Sequence, residues 1–132
     1  MPSLDRRELA SIFAGGSIGA LLRVWLVQNF AGSESGWPWV IFTINITGSF
    51  ALAYFATRLQ ERLPQSTYRR PLLGTGFCGA YTTFSTVQVE ILKMLDQDDY
   101  ALATVYALAS VTAGYLAIWL ATAIVRRVRV IA

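Results

Sequence analysis

Gly74-Thr-Gly-Phe-Cys-Gly-Ala-Tyr-Thr-Thr-Phe-Ser-Thr86 is the stretch whose reading decides how this chain folds. It lies inside Pro71–Val89, 19 residues without a charge. At about 1.5 Å per residue such a run crosses most of a hydrocarbon core of about 30 Å. Yet the thirteen quoted residues include three glycines and four threonines, a poor mixture for a helix. Threonines can bond back to the preceding turn, so a continuous helix is one reading; a helix broken near its middle is the better one. Backbone groups freed at membrane depth must be buried in protein or face a polar cavity. Exposed carbonyls there would hold a cation, and N–H groups or hydroxyls would meet an anion. Either arrangement needs a second surface to protect it, which predicts a dimer.

The flanking sequence supplies the other spans. Ser35–Thr57 is 23 uncharged residues and Tyr100–Val125 is 26, each long enough to cross a bilayer. Leu9–Leu22 is shorter, and the apolar run resumes after Arg23 as Val24–Phe30. A signal peptide is the competing reading of this first segment, but Asp5 and Glu8 spoil a basic leader and no soluble domain follows. The sequence predicts an all-α membrane protein, one unit over 1–132, with four transmembrane helices at about 9–30, 38–57, 71–95 and 100–125. Gly32 to Gly36 with Pro38, Arg58 to Arg70 with Pro64, and Asp96-Gln-Asp-Asp99 form the connections. The last places acidic residues at the N-terminus of the fourth helix.

Composition agrees and removes other classes. The chain is 55% hydrophobic and 14% charged, with a mean hydropathy of +0.47, unlike a soluble domain of this size. It has no histidine, and Cys78 is its one cysteine, which excludes an internal disulfide and the usual zinc sites. No nucleophile sits beside a base and no phosphate-binding loop is present, so an enzyme is not expected. Net charge is +3, but the arginines lie at helix ends, where they set topology rather than bind nucleic acid. Arg6, Arg7, Arg58, Arg62, Arg69, Arg70, Arg126, Arg127 and Arg129 fall on one side, nine of eleven basic residues. Arg23 and Lys93 are the others. The positive-inside rule then puts both termini in the cytoplasm.

Polar residues inside a bilayer each need a reason. Gly15, Gly16 and Gly19 are spaced for close helix packing. Arg23 either snorkels or makes an electropositive vestibule for anions. Asn45, ahead of Gly48 and Ser49, either bridges helices or lends its NH₂ to a dehydrated ion. Glu90, one turn past the break, is expected to accept hydrogen bonds from a neighbouring helix or the broken backbone. Tyr106, Ser110 and Gly114 recur every fourth residue on one helix face. They fit packing or a narrow polar track, and spacing leaves both open.

Taken together, Gly15-Gly-Ser-Ile-Gly19 with Arg23, Thr43-Ile-Asn-Ile-Thr-Gly48, and Gly76-Phe-Cys-Gly-Ala-Tyr-Thr-Thr-Phe-Ser-Thr86 with Glu90 resemble the fluoride channel family (Fluc, also called CrcB). The resemblance runs in order through nearly the whole chain. It implies a subunit that pairs antiparallel with a second one, giving two pores that export toxic fluoride passively across the plasma membrane of a prokaryote. It also implies a structural sodium ion at the dimer centre, held by backbone carbonyls that fall here at Gly79 and Thr82. By motif position Asn45, Phe84, Ser85, Thr86, Tyr106 and Ser110 line the fluoride pore, and Arg23 is the vestibule arginine. The implied partners are fluoride, membrane lipid and the second subunit. The chemistry is coherent: fluoride is small and strongly hydrated, so a pore must replace its water with several donors in sequence. A phenylalanine ring can add a positive edge without trapping the ion.

The chain departs from the family pattern in three places. Val87 stands where a second phenylalanine is usual, and Gly114 and Ile118 stand where the fourth-helix track often has hydroxyls. An opposed homodimer would also need one sequence to insert both ways, against a nine-to-two charge bias. Both points favour a heterodimer with an oppositely oriented paralogue. Two other readings compete. A small proton-coupled multidrug exporter needs an acidic residue in the first helix, and Leu9–Leu22 has none. A non-conducting assembly subunit leaves Asn45 and the break without purpose.

Overall fold

The computed structural model describes residues 5–32, 36–61 and 68–131, the side chains of the last three excepted. Ser33 to Ser35 in the first connection, and Arg62 and Pro64 in the second, lie outside these. Every element among the described residues is helical, with no strand. The elements are α1 (Arg6–Phe30), α2 (Trp39–Glu61), α3 (residues 71–81), α4 (Phe84–Asp96) and α5 (Tyr100–Ile131). By length and composition α1, α2 and α5 each suffice to cross a membrane, and most of their apolar surface faces away from the chain's interior.

The helices reach beyond their uncharged cores for local reasons. Asp5 caps α1, its carboxylate accepting from the Arg7 N–H at 2.9 Å while its carbonyl accepts from Leu9 N–H at 3.1 Å. With Glu8 in the first turn, that end suits the helix dipole, so α1 begins at Arg6 rather than near residue 9. At the same end of the molecule α2 and α5 run on past Thr57 and Val125. There Glu61 accepts from Arg126 Nη2 at 3.1 Å. The pair is exposed and adds little stability.

Glycine sets the α1–α3 contact. A Cβ at Gly15 would collide with the Leu72 carbonyl, and one at Gly19 with the Phe77 carbonyl. From the other side, a Cβ at Gly76 would lie 2.6 Å from the Ile12 carbonyl. Main chain therefore rests on main chain. The first part of α3 is not an α-helix: Pro71–Cys78 is wound as a π-helix, and the Gly79 N–H reaches the Gly74 carbonyl five residues back. Such winding is rare beyond a single turn. Here it coincides with Gly76, which leaves the wider coil room to sit on α1.

α2 packs along α5, and α4 folds back on α5 through a tight turn. Gln97, Asp98 and Asp99 donate to the Lys93, Leu95 and Met94 carbonyls at 3.1, 3.0 and 2.9 Å. Asp98 takes the left-handed conformation at φ 57°, the usual way to close a helix C-terminus. Asp99 then caps α5, accepting from the Leu102 N–H at 3.2 Å. Beneath this turn Met94, Ala103 and Tyr106 form a buried cluster against Trp37, Phe42, Val87, Ile91 and Leu102.

Candidate ion-conducting site

Between α3 and α4 the helix stops for two residues. Thr82 (φ −78°, ψ 156°) and Thr83 (φ −145°, ψ 121°) are both extended. Thr82 closes the end of α3, giving both its N–H (3.0 Å) and its hydroxyl (2.9 Å) to the Cys78 carbonyl. Thr83 turns to α2. Its N–H donates to Asn45 Oδ1 at 2.8 Å, and its carbonyl accepts from Asn45 Nδ2 at 2.9 Å. The asparagine amide thus completes a peptide-like pairing for a backbone that has left the helix, which settles two groups that would otherwise be orphaned. α2 comes close enough to do so because Gly48 lies against the Thr82 methyl and the Tyr81 ring. Tyr81 OH and Thr47 Oγ1 add a hydrogen bond of 3.0 Å beside it.

The same pairing frees an oxygen. In an unbroken helix Thr83 N–H would donate to the Gly79 carbonyl, four residues back. It goes to Asn45 instead, and Gly79 is exposed. The neighbouring Thr82 carbonyl has only a long contact of 3.5 Å from Arg23 Nη1. Among the described residues no group of acidic, histidine or cysteine side chains suits a metal ion. A cation at this break would therefore use main-chain oxygens, and Gly79 and Thr82 offer them. Arg23 turns its guanidinium toward the break.

Thr83 also caps α4. Its hydroxyl accepts from the Thr86 N–H at 3.2 Å and lies 2.9 Å from Thr86 Oγ1 and 3.3 Å from Ser85 Oγ. The three hydroxyls gather at the N-terminus of α4, an end that favours negative charge. Phe84, at the first position of that helix, is 79% exposed and projects from the chain. Ser85 is exposed with it.

Tyr106 and Ser110 lie elsewhere. Tyr106 is 0% exposed; its hydroxyl lies close to that of Ser110, but among the described residues neither makes a well-formed hydrogen bond. Buried hydroxyls are rarely left so. Further along the face, Gly114 lies beside Ser49 of α2. The residues expected to form one lining therefore divide. Asn45 and Thr86 meet at Thr83, Phe84 and Ser85 face outward, and Tyr106 and Ser110 sit behind, between α5 and α2.

Glu90 departs from expectation. Among the described residues it accepts from Lys93 of its own helix at 3.2 Å, and from neither a neighbouring helix nor the break. Spacing explains this, since residues three apart on one helix are neighbours. Glu90, Lys93 and Thr86 line a cavity of about 630 Å³ between the end of α1, the start of α2 and α4. Trp37 lines it too, with a buried indole N–H that has no partner.

Two residues of this region were not singled out from the sequence. Thr83 had a signal, the Thr-x-x-Thr spacing of an N-cap ahead of α4. Trp37, in a connection before an apolar run, had none.

Residues 10–122 match the family model described as CrcB-like protein, Camphor Resistance (CrcB). The chain is 58% identical to a Mycolicibacterium paratuberculosis protein named fluoride-specific ion channel FluC 1, over 98% of each sequence. It is 54% identical to a protein of the same name from Mycobacterium tuberculosis, again over 98% of both. A fluoride-specific ion channel FluC from Oceanobacillus iheyensis is 38% identical over 82% of this chain and 83% of its own.

Proposed function

This chain belongs to the CrcB family, whose members are multi-pass membrane channels rather than enzymes, and we propose that it is one subunit of a channel that lets fluoride leave the cytoplasm passively. The observation that carries the reading is the Asn45 clamp on Thr83. It holds open a break at membrane depth and gathers the Thr83, Ser85 and Thr86 hydroxyls at a helix N-terminus. Small anions need such a series of donors, and larger halides would be held back by the bore.

In this reading residues 71–96 form the third of four spans, interrupted at Thr82 and Thr83. The subunit lies in the plasma membrane of a prokaryote with both termini cytoplasmic, where nine of eleven basic residues would be. Arg23 supplies a positive field toward the break, and Asn45, Thr86, Ser85, Tyr106 and Ser110 pass the ion along. The exposed Phe84 ring supports pairing, because an outward phenylalanine can edge a pore only beside another surface. That surface is a second subunit in antiparallel orientation. A sodium ion between the two would bind the Gly79 and Thr82 carbonyls and fasten the breaks together. The charge bias favours an oppositely oriented paralogue over a second copy.

Fluoride release from liposomes, with chloride as control, tests the function. Fluoride efflux without chloride efflux is expected. Phe84→Ile should reduce it about tenfold or more, the effect of one lost interaction with a charged ion. An unchanged rate would remove Phe84 from the pore. No fluoride efflux from this chain alone, but efflux with a co-expressed oppositely biased subunit, would establish the heterodimer. Equal populations of both orientations, read by terminal reporters, would argue against it.

A further inference from the structure

Trp37 is a residue that the channel reading did not call for, and its surroundings give it a part. Its indole Nε1 is buried and, among the described residues, has no hydrogen-bond partner; Tyr106 OH and Ser110 Oγ have only a weak contact with each other. Its ring meets Tyr106 edge to face, with centroids 5.2 Å apart at 87°. Phe42 steadies it at 5.2 Å and 77°, and Val87 fills the same cluster. On its other side Trp37 lines the cavity of about 630 Å³ with Thr86, Glu90 and Lys93. Glu90 is paired with Lys93 at 3.2 Å, so its charge does not stand uncompensated against an entering anion. Trp37 thus lies between an open cavity and Tyr106, with Ser110 one helical turn beyond Tyr106 on α5.

We infer that the Trp37 indole N–H donates to fluoride as the ion passes between this cavity and the Tyr106 and Ser110 hydroxyls, making Trp37 a specificity-determining residue of the pore. The inference rests on the fluoride-channel reading above. An indole N–H is a donor and never an acceptor, so it answers an anion and not a cation. Being neutral, it assists dehydration without holding the ion as a full charge would. The competing account of the unpaired N–H is a weak contact with the face of Tyr106 or Phe42.

Trp37→Phe keeps an aromatic ring in the cluster and removes the donor. Fluoride efflux from liposomes should fall about tenfold, the loss of one hydrogen bond to a charged partner, while chloride stays excluded. A second measurement does not depend on how that variant folds. In the full-length ¹⁵N-labelled protein in detergent, Trp25, Trp39 and Trp119 are replaced by Phe, leaving one indole signal. All three are exposed; Trp39 also lines the cavity, its ring centroid 5.8 Å from that of Trp37. Sodium fluoride should move the Trp37 N–H resonance downfield, and sodium chloride at equal ionic strength should not. A resonance that ignores fluoride at concentrations where liposomes conduct overturns the inference, as does a Trp37→Phe channel at the wild-type rate. Liposomes that release no fluoride even with the co-expressed, oppositely oriented subunit would remove the channel reading itself, and this inference with it.

Discussion

Where α1 meets α3, glycine lets main chain touch main chain; where α2 meets α4 and α5, polar side chains occupy the gap. In the first contact Gly15, Gly19 and Gly76 leave no room for a side chain. In the second, Asn45 spends its amide on Thr83, while among the described residues Tyr106, Ser110 and Trp37 keep donors without a well-formed hydrogen bond. A protein built for stability alone would fill the second contact with apolar groups, since unpaired buried donors are costly. The α1–α3 contact is made by main chain, and the other by polar side chains, Asn45 at the break and Tyr106 and Ser110 behind it.

The contrast can be broken from either side. The largest effect belongs to Asn45→Leu, which strands both the N–H and the carbonyl of Thr83. Unfolding in detergent should show a loss of about 2–6 kcal/mol, from roughly 1–3 per orphaned group, and fluoride efflux should vanish. Asn45→Leu at wild-type stability would mean that Thr83 finds other partners. Gly19→Val comes next, since its side chain would press on the Phe77 carbonyl. A loss of about 1–3 kcal/mol is expected, with efflux reduced through displacement of the break rather than loss of a donor. Tyr106→Phe should do the opposite. Removing an unsatisfied buried hydroxyl should leave stability unchanged or raise it by about 1 kcal/mol, while efflux falls severalfold. Equal falls in stability and rate for Tyr106→Phe would make that hydroxyl structural and erase the contrast.

Poor helix formers were legible, three glycines and four threonines in thirteen residues, and two of those threonines stand extended between α3 and α4. Which residues leave the helix was not legible, because the Asn45 pairing that holds Thr83 is made across helices. The π winding of Pro71–Cys78 was not legible, because apolar residues and glycines suit either coil and the choice is made by contact with α1. Asn45 was read with two roles open, structural bridge or pore donor. The structure shows the bridge, and one N–H of its NH₂ can still face an ion. Glu90 was assigned to distant partners because a carboxylate near a break suggests them, but Lys93 three residues on was the nearer answer. Trp37 escaped notice because its importance lies in which atoms surround it, and local sequence carries no trace of that.

The Asn45–Thr83 pairing has a consequence for how such a chain can change over time. Both atoms that Asn45 grips at residue 83 belong to the main chain. No replacement of the threonine side chain can therefore compensate for a change at residue 45. The contact should leave its mark among relatives as a single fixed asparagine, not as two positions that vary together. Methods that look for paired substitutions would pass over the bond that holds the break in place.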